Sequence, residues 1–199
     1  MISTLLFTWL QGANFYFDLH KQAVESLPIG NGELWLDIGC GPGLVTRFAA
    51  ERKYRAIGLD TDLQMIASAK WLARRAHSSA DFQTGDFTTL PAESAHVVSA
   101  ASLLAVLSDR EAGLRSLWHL LRPGGTLLII EPTNQMTVEN ANRAIQNGLP
   151  QKRILGLRMW ANARQGNIVD PAIYENLGAR ATRFQPLLQG LVGAWVIQK

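Results

Sequence analysis

Cysteine is almost missing from this chain of 199 residues: Cys40 stands alone. That excludes an internal disulfide, leaves stability to a buried core, and fits a reducing compartment. Charged residues are also sparse, at 18% against 47% hydrophobic, which excludes the charge-rich, core-poor composition of a disordered chain. There is no basic stripe interleaved with aromatics. Arg74, Arg75 and His77 cluster locally, while Arg153, Arg158 and Arg164 are spread over a later segment. With a formal net charge of only +3, these groups read as solvated faces, and no nucleic-acid partner is expected. Long apolar runs are lacking as well. Segment 3–10 is apolar but too short to span a bilayer, and it has neither the basic start nor the cleavage site of a secretion signal. It reads as part of an amphipathic helical cap over residues 1–30. The expectation is a cytoplasmic protein with no membrane span and no metal site, either a monomer or a homodimer, folded as a single domain over residues 1–199.

What is present is an alternation of strand-like and helix-like segments, without internal repeats or low-complexity tracts. Strands are expected at 34–38, at 56–59 ending on Asp60, at 81–84, at 97–100 and at 126–130. Helices are expected between them, at 44–52 and at 63–76, where Met65, Ile66, Ala69, Leu72, Ala73 and Ala76 recur at helical spacing. A further helix, capped by Ser108 or Asp109, carries Leu114, Leu117, Trp118 and Leu121 on its apolar face until Pro123-Gly124-Gly125 breaks it. Residues 132–170 are polar and irregular, with helices near 138–145 and 154–161. Asp170-Pro171 then starts another turn that Gly178 stops, and strands at 180–184 and 191–197 close the chain as an antiparallel pair. This order predicts an α/β fold: a doubly wound, Rossmann-like, mainly parallel seven-stranded sheet with an antiparallel C-terminal strand pair and helices on both faces. Such a sheet holds its ligand at the carboxyl ends of its strands. Asp37, Asp60, Asp86, Ser102 and Glu131 all fall at those ends.

The first strand runs into Asp37-Ile38-Gly39-Cys40-Gly41-Pro42-Gly43. Glycines there allow a left-handed backbone and close approach to a ligand. A dinucleotide fingerprint would read G-x-G-x-x-G with an acidic residue about twenty positions on. Here the spacing is G-x-G-x-G, and Asp60 stands where either kind of ligand would present ribose hydroxyls. Cys40, between two of the glycines, suggests a small side chain tucked under a ligand rather than a nucleophile, since no histidine stands near it in sequence.

Four ordered segments over residues 34–132 resemble the class I S-adenosylmethionine-dependent methyltransferases, specifically the type 11 group acting on small molecules. They are the 37–43 loop, Gly58-Leu59-Asp60-Thr61-Asp62 followed by Met65, Thr84-Gly85-Asp86-Phe87 followed by Leu90-Pro91, and Leu121-Arg122-Pro123-Gly124-Gly125-Thr126. The resemblance implies S-adenosylmethionine as methyl donor, with S-adenosylhomocysteine as product. It implies that Gly39, Cys40, Gly41 and Gly43 line the methionine moiety and that Asp37 orients the loop and the ammonium. Asp60 would take the ribose hydroxyls, with Met65 against the adenine. Asp86 and the Phe87 N–H would read the adenine edge, and Thr61 and Ser102 complete the cofactor-binding set. Tyr16, in the N-terminal helix, would close over the cofactor.

The acceptor side is less defined. Ser99-Ala100-Ala101-Ser102-Leu103-Leu104 has no Asn-Pro-Pro-Tyr-like signature of nucleic-acid amino methylases, and Leu104 stands where the family often carries a histidine. Tyr16, His20 and Glu131 are the candidate catalytic residues, with Trp160 and Arg164 as further acceptor-side candidates. Residues 132–170 are the expected acceptor lid, and a small-molecule acceptor is expected under so slight a cover. Two other readings stay open: a non-catalytic relative that binds the cofactor, and an NAD-type oxidoreductase.

Overall fold

The computed structural model describes residues 8–149 and 152–199. Most of segment 3–10 lies outside the described residues; its end, residues 8–10, is helical. Seven strands form one sheet in the order β3-β2-β1-β4-β5-β7-β6: β1 Leu34–Ile38, β2 Arg55–Asp60, β3 Asp81–Thr84, β4 Ala95–Ala101, β5 Leu121–Pro132, β6 Ala181–Leu187 and β7 Val192–Gln198. The pairs β1–β2, β1–β4, β2–β3 and β4–β5 are parallel. Strand β7 runs antiparallel to both β5 and β6. The expected C-terminal pair is therefore joined to the parallel sheet through β7.

Helices are α1 Asn14–Glu25, α2 Leu44–Glu51, α3 Leu63–Arg75, α4 Arg110–Leu120, α5 Val138–Gln146 and α6 Leu155–Arg164. Several start on caps legible in the sequence. Asp62 accepts from the Gln64 and Met65 amides, Asp109 from Ala112 and Thr137 from Asn140, each satisfying a donor that the first helical turn leaves open. The Asp170-Pro171 turn is a 3-10 helix, Pro171–Leu177, stopped by Gly178 at φ 63°.

Period-two alternation splits the core. In β5, Leu128 and Ile130 join the side packed by α1, α2, α5 and α6, while Leu127 and Ile129 join the side packed by α4. Pro123-Gly124-Gly125 behaves differently from the expectation of a break ahead of the strand. Leu121 already pairs with Ala95, the next residues loop out, and pairing resumes at Thr126 with Val97. Among the described residues no helix is long and apolar enough to cross a membrane.

Candidate active site

The carboxyl ends of β1 to β4 open into a cavity of about 580 Å³. Its floor is built around Asp37. Sheet register sets Asp37 beside Ser99 of β4 and Gly58 of β2. The Ser99 hydroxyl donates to Asp37 Oδ1 at 2.7 Å, and the Thr46 hydroxyl of α2 donates to Oδ2 at 2.7 Å. Trp35 Nε1 donates in turn to Ser99 Oγ at 2.7 Å. Gly58 has to be bare: a Cβ there would stand 2.7 Å from Thr46 Oγ1 and 2.9 Å from Cys40 Sγ. Burial raises the Asp37 carboxyl to about 6 against the two hydroxyl donors. With both oxygens accepting from the protein, Asp37 ties β1, β4 and α2 together below the glycine loop.

The loop above it is left-handed at Gly39, Gly41 and Gly43 (φ 64°, 51° and 77°). Asp60, at the end of β2, holds the loop from the side: its Oδ2 accepts the Gly41 N–H at 2.9 Å and its Oδ1 the Asp62 N–H at 2.9 Å. Gly39, Cys40 and Gly41 line the cavity together with Asp60, Thr61 and Met65. Gly43 stands behind the loop, packed toward Phe82 and Ala69. Burial pushes the Cys40 thiol up, and its Sγ sits 3.6 Å from the Gly41 carbonyl. It is a half-buried filler, with no histidine bonded to it among the described residues.

Asp86 and Phe87 line the same cavity at the end of β3, where one Asp86 oxygen caps the 3-10 turn through the Thr88 N–H at 2.9 Å. Ser102 lines it beyond β4 with φ at 55°, bonded through its N–H to the Ile130 carbonyl. Tyr16 and His20 come from α1 with their rings tilted against each other at 4.2 Å, and Trp160 lies edge-on to Tyr16 at 5.5 Å. His20 Nδ1 lies 2.7 Å from the Tyr16 carbonyl, so that nitrogen carries the proton. Burial lowers the ring to about 4 and pushes the Tyr16 phenol up. Neither side chain is a ready proton acceptor at neutral pH.

Glu131 is placed differently from a rim residue. It lies within β5, 1% exposed, paired with Gly193, and does not line the cavity. Its Oε1 accepts the Leu104 N–H at 2.9 Å, and its Oε2 has no partner among the described residues. Burial raises it to about 7, with Arg164 the largest opposing influence. Between its unfolded value and 7, the folded protein therefore holds a proton that the unfolded chain has released, so stability falls as pH rises through that window. Asp37 adds in the same sense up to 6, and His20 opposes between 4 and its unfolded value. In urea titrations, unfolding free energy is expected to decline by about 2 kcal/mol from about pH 5 to pH 7.5, and Glu131→Gln to flatten the upper part of that slope. An unchanged slope in the variant would assign the effect elsewhere.

Gln11 and Leu103 are among the lining residues without a signal in the sequence. Gln11 faces the cavity and accepts from Arg47 Nη2 at 2.8 Å, while Arg47 Nη1 donates to the Pro42 carbonyl at 2.8 Å. Leu103 fills the space that a Cβ on Gly39 would need.

Comparison with known proteins adds a family likeness. Residues 36–125 match the model of a methyltransferase domain. The chain is 33% identical over 164 residues to trans-aconitate 2-methyltransferase of Methylobacterium radiotolerans, spanning 80% of this chain and 61% of that relative. It is 31% identical over 112 residues to phosphoethanolamine N-methyltransferase 1 of Arabidopsis thaliana, 55% of this chain and 23% of that one. Residues 36–125 are thus similar to the methyltransferase domain of S-adenosylmethionine-dependent enzymes. The chain covers less than two thirds of either relative's length. The fold agrees: a SAM-dependent methyltransferase from Aquifex aeolicus superposes with a TM-score of 0.63 at 15% identity, over 95% of this chain and 91% of that one.

The geometry of the loop leaves room for a ligand beside Gly41. At Gly41 the loop has no Cβ on a left-handed backbone, and Met65 Sδ is the nearest atom such a Cβ would meet, at 3.9 Å. The Asp60 carboxylate flanks that gap, where charge-assisted bonds to hydroxyls are available.

Proposed function

We propose that this chain transfers a methyl group from S-adenosylmethionine to a small-molecule acceptor. The carrying observation is the convergence of the glycine loop, Asp60, Met65, Asp86 and Phe87 on one cavity at the carboxyl ends of β1, β2 and β3. When bound, the sulfonium supplies an activated methyl group: the acceptor's lone pair forms the new bond as the carbon–sulfur pair returns to sulfur. The protein's part is to position and desolvate. Asp60 takes the ribose hydroxyls, Asp86 and the Phe87 amide read the adenine, and Gly39 and Gly41 let the backbone approach. Tyr16, backed by Trp160, excludes water at the β4 side, and residues 132–149 and 152–170, of which Arg164 lines the cavity, cover the acceptor.

An acceptor of small size is supported by the curated relatives, whose names specify trans-aconitate and phosphoethanolamine. The buried His20 and Tyr16 favour an acceptor that is nucleophilic without losing a proton to the enzyme. The test is calorimetric titration with S-adenosylhomocysteine beside NADH. Saturable binding of the former alone is expected. Binding of NADH alone, or of neither by folded protein, refutes the proposal.

A further inference from the structure

Arg164 ends α6. Gly156, Leu157, Trp160, Ala161 and Arg164 share the buried face of that helix, so its last turn carries a guanidinium where the pattern calls for an apolar residue. Arg164 is 6% exposed, yet it lines the cavity. Its Nη2 donates to the Ser102 carbonyl at 3.3 Å, long for a charged donor, and its Nε has no partner among the described residues. It belongs to none of the described ion pairs, which are Lys21–Glu25, Arg115–Glu111 and Arg143–Glu139. A buried guanidinium with open donors is costly unless an anion completes it.

Among the described residues it is also the cavity's one Lys or Arg, beside the acids Asp37, Asp60, Asp86 and Asp109. Sheet order sets Arg164 apart from two of these acids: Asp60 and Asp86 follow β2 and β3, whereas Arg164 bonds to Ser102 beyond β4, with Asp37 on β1 and Asp109 after β4 nearer to it along the sheet. Arg164 favours the charged form of the buried Glu131 of β5, but the two form no ion pair among those described, and burial raises the Glu131 carboxyl to about 7. The buried rings of Tyr16 and Trp160, edge-on at 5.5 Å, add apolar surface near it. A planar fork of donors in such a place matches a carboxylate.

We infer that Arg164 is the receptor for a carboxylate of the acceptor, and that the acceptor is a small organic acid bound as its anion over the β4 end of the sheet. This rests on the methyl-transfer reading above. The cofactor's own amino-acid carboxylate has the same chemistry, so the two sources have to be separated.

The experiment titrates succinate and citrate into protein saturated with S-adenosylhomocysteine, for the native chain, Arg164→Met and Arg164→Lys. S-adenosylhomocysteine and 5′-methylthioadenosine, which lacks the amino-acid carboxylate, are titrated into each in parallel. At least one acid is expected to bind the native chain, about tenfold or more weaker to Arg164→Met, with Arg164→Lys in between. Both nucleoside ligands should bind all three proteins within about threefold. If Arg164→Met loses S-adenosylhomocysteine but keeps 5′-methylthioadenosine, Arg164 serves the cofactor and the inference is overturned. It is overturned equally if neither acid binds the native chain or if both variants bind the acids as the native chain does. Should Arg164→Met not fold, the lysine variant decides alone. Loss of S-adenosylhomocysteine binding by the native chain would instead defeat the methyl-transfer reading.

Discussion

Asp60→Ala is expected to weaken S-adenosylhomocysteine binding by about 30- to 150-fold, or about 2–3 kcal/mol, the range for losing hydrogen bonds to a charged acceptor. Two effects combine. The carboxylate that would take the ribose hydroxyls disappears, and so does the acceptor of the Gly41 N–H at 2.9 Å. Gly41 is at φ 51°, a conformation glycine tolerates but does not prefer strongly, so the loop loses its lateral restraint along with the ligand contact. Asp60→Asn separates the two: its amide oxygen can still accept from Gly41, while the charge is gone. It should bind more weakly than the native chain and more tightly than the alanine variant. Isothermal calorimetry on folded protein checks the series, and an unaltered dissociation constant in Asp60→Ala would remove Asp60 from the ribose site.

Gly43→Val is expected to lower the melting temperature by roughly 6–12 °C, from a destabilisation of about 3 kcal/mol. Gly43 is the N-cap of α2 at φ 77°, where any side chain strains the backbone. A Cβ would also overlap the Phe82 ring and stand 3.1 Å from Ala69 Cβ. Phe82 is 2% exposed in a cluster with Ile66, Ala69 and Ala73, so the ring has nowhere to move. Gly32→Ala is the control for the backbone alone: its φ is 90°, with nothing within 4 Å of the added Cβ. It should cost only about 1 kcal/mol. Equal losses in the two variants would show that packing against Phe82 is not what Gly43 protects.

Local signals placed the parallel half of the sheet well. An apolar run ending on Asp37, glycines at the turn and helical spacing after Leu63 are properties of adjacent residues, and β1 and β3 fall where those signals put them. Glu131 was harder to place, because its burial depends on pairing with Gly193, far along the chain. The Leu121–Ala95 bridge ahead of Pro123-Gly124-Gly125 is a register shift that only the partner strand defines. At the site, Asp60, Asp86 and the glycine loop were legible because each sits at a strand end. The double use of Asp60, holding Gly41 as well as flanking the gap, was not. The grouping of Tyr16, His20, Trp160 and Arg164 depends on α1 packing toward α6, which neither helix encodes by itself.

The bonds that hold the cavity floor begin and end within β1, β4 and α2, from Trp35 through Ser99 and Asp37 to Thr46. None of them involves residues 132–170. On the methyl-transfer reading, changes in the proposed lid are therefore expected to leave the Asp37 floor intact, with Arg164 and its bond to the Ser102 carbonyl as the point where the two meet. A chain wired this way can drift in substrate while staying fixed in cofactor.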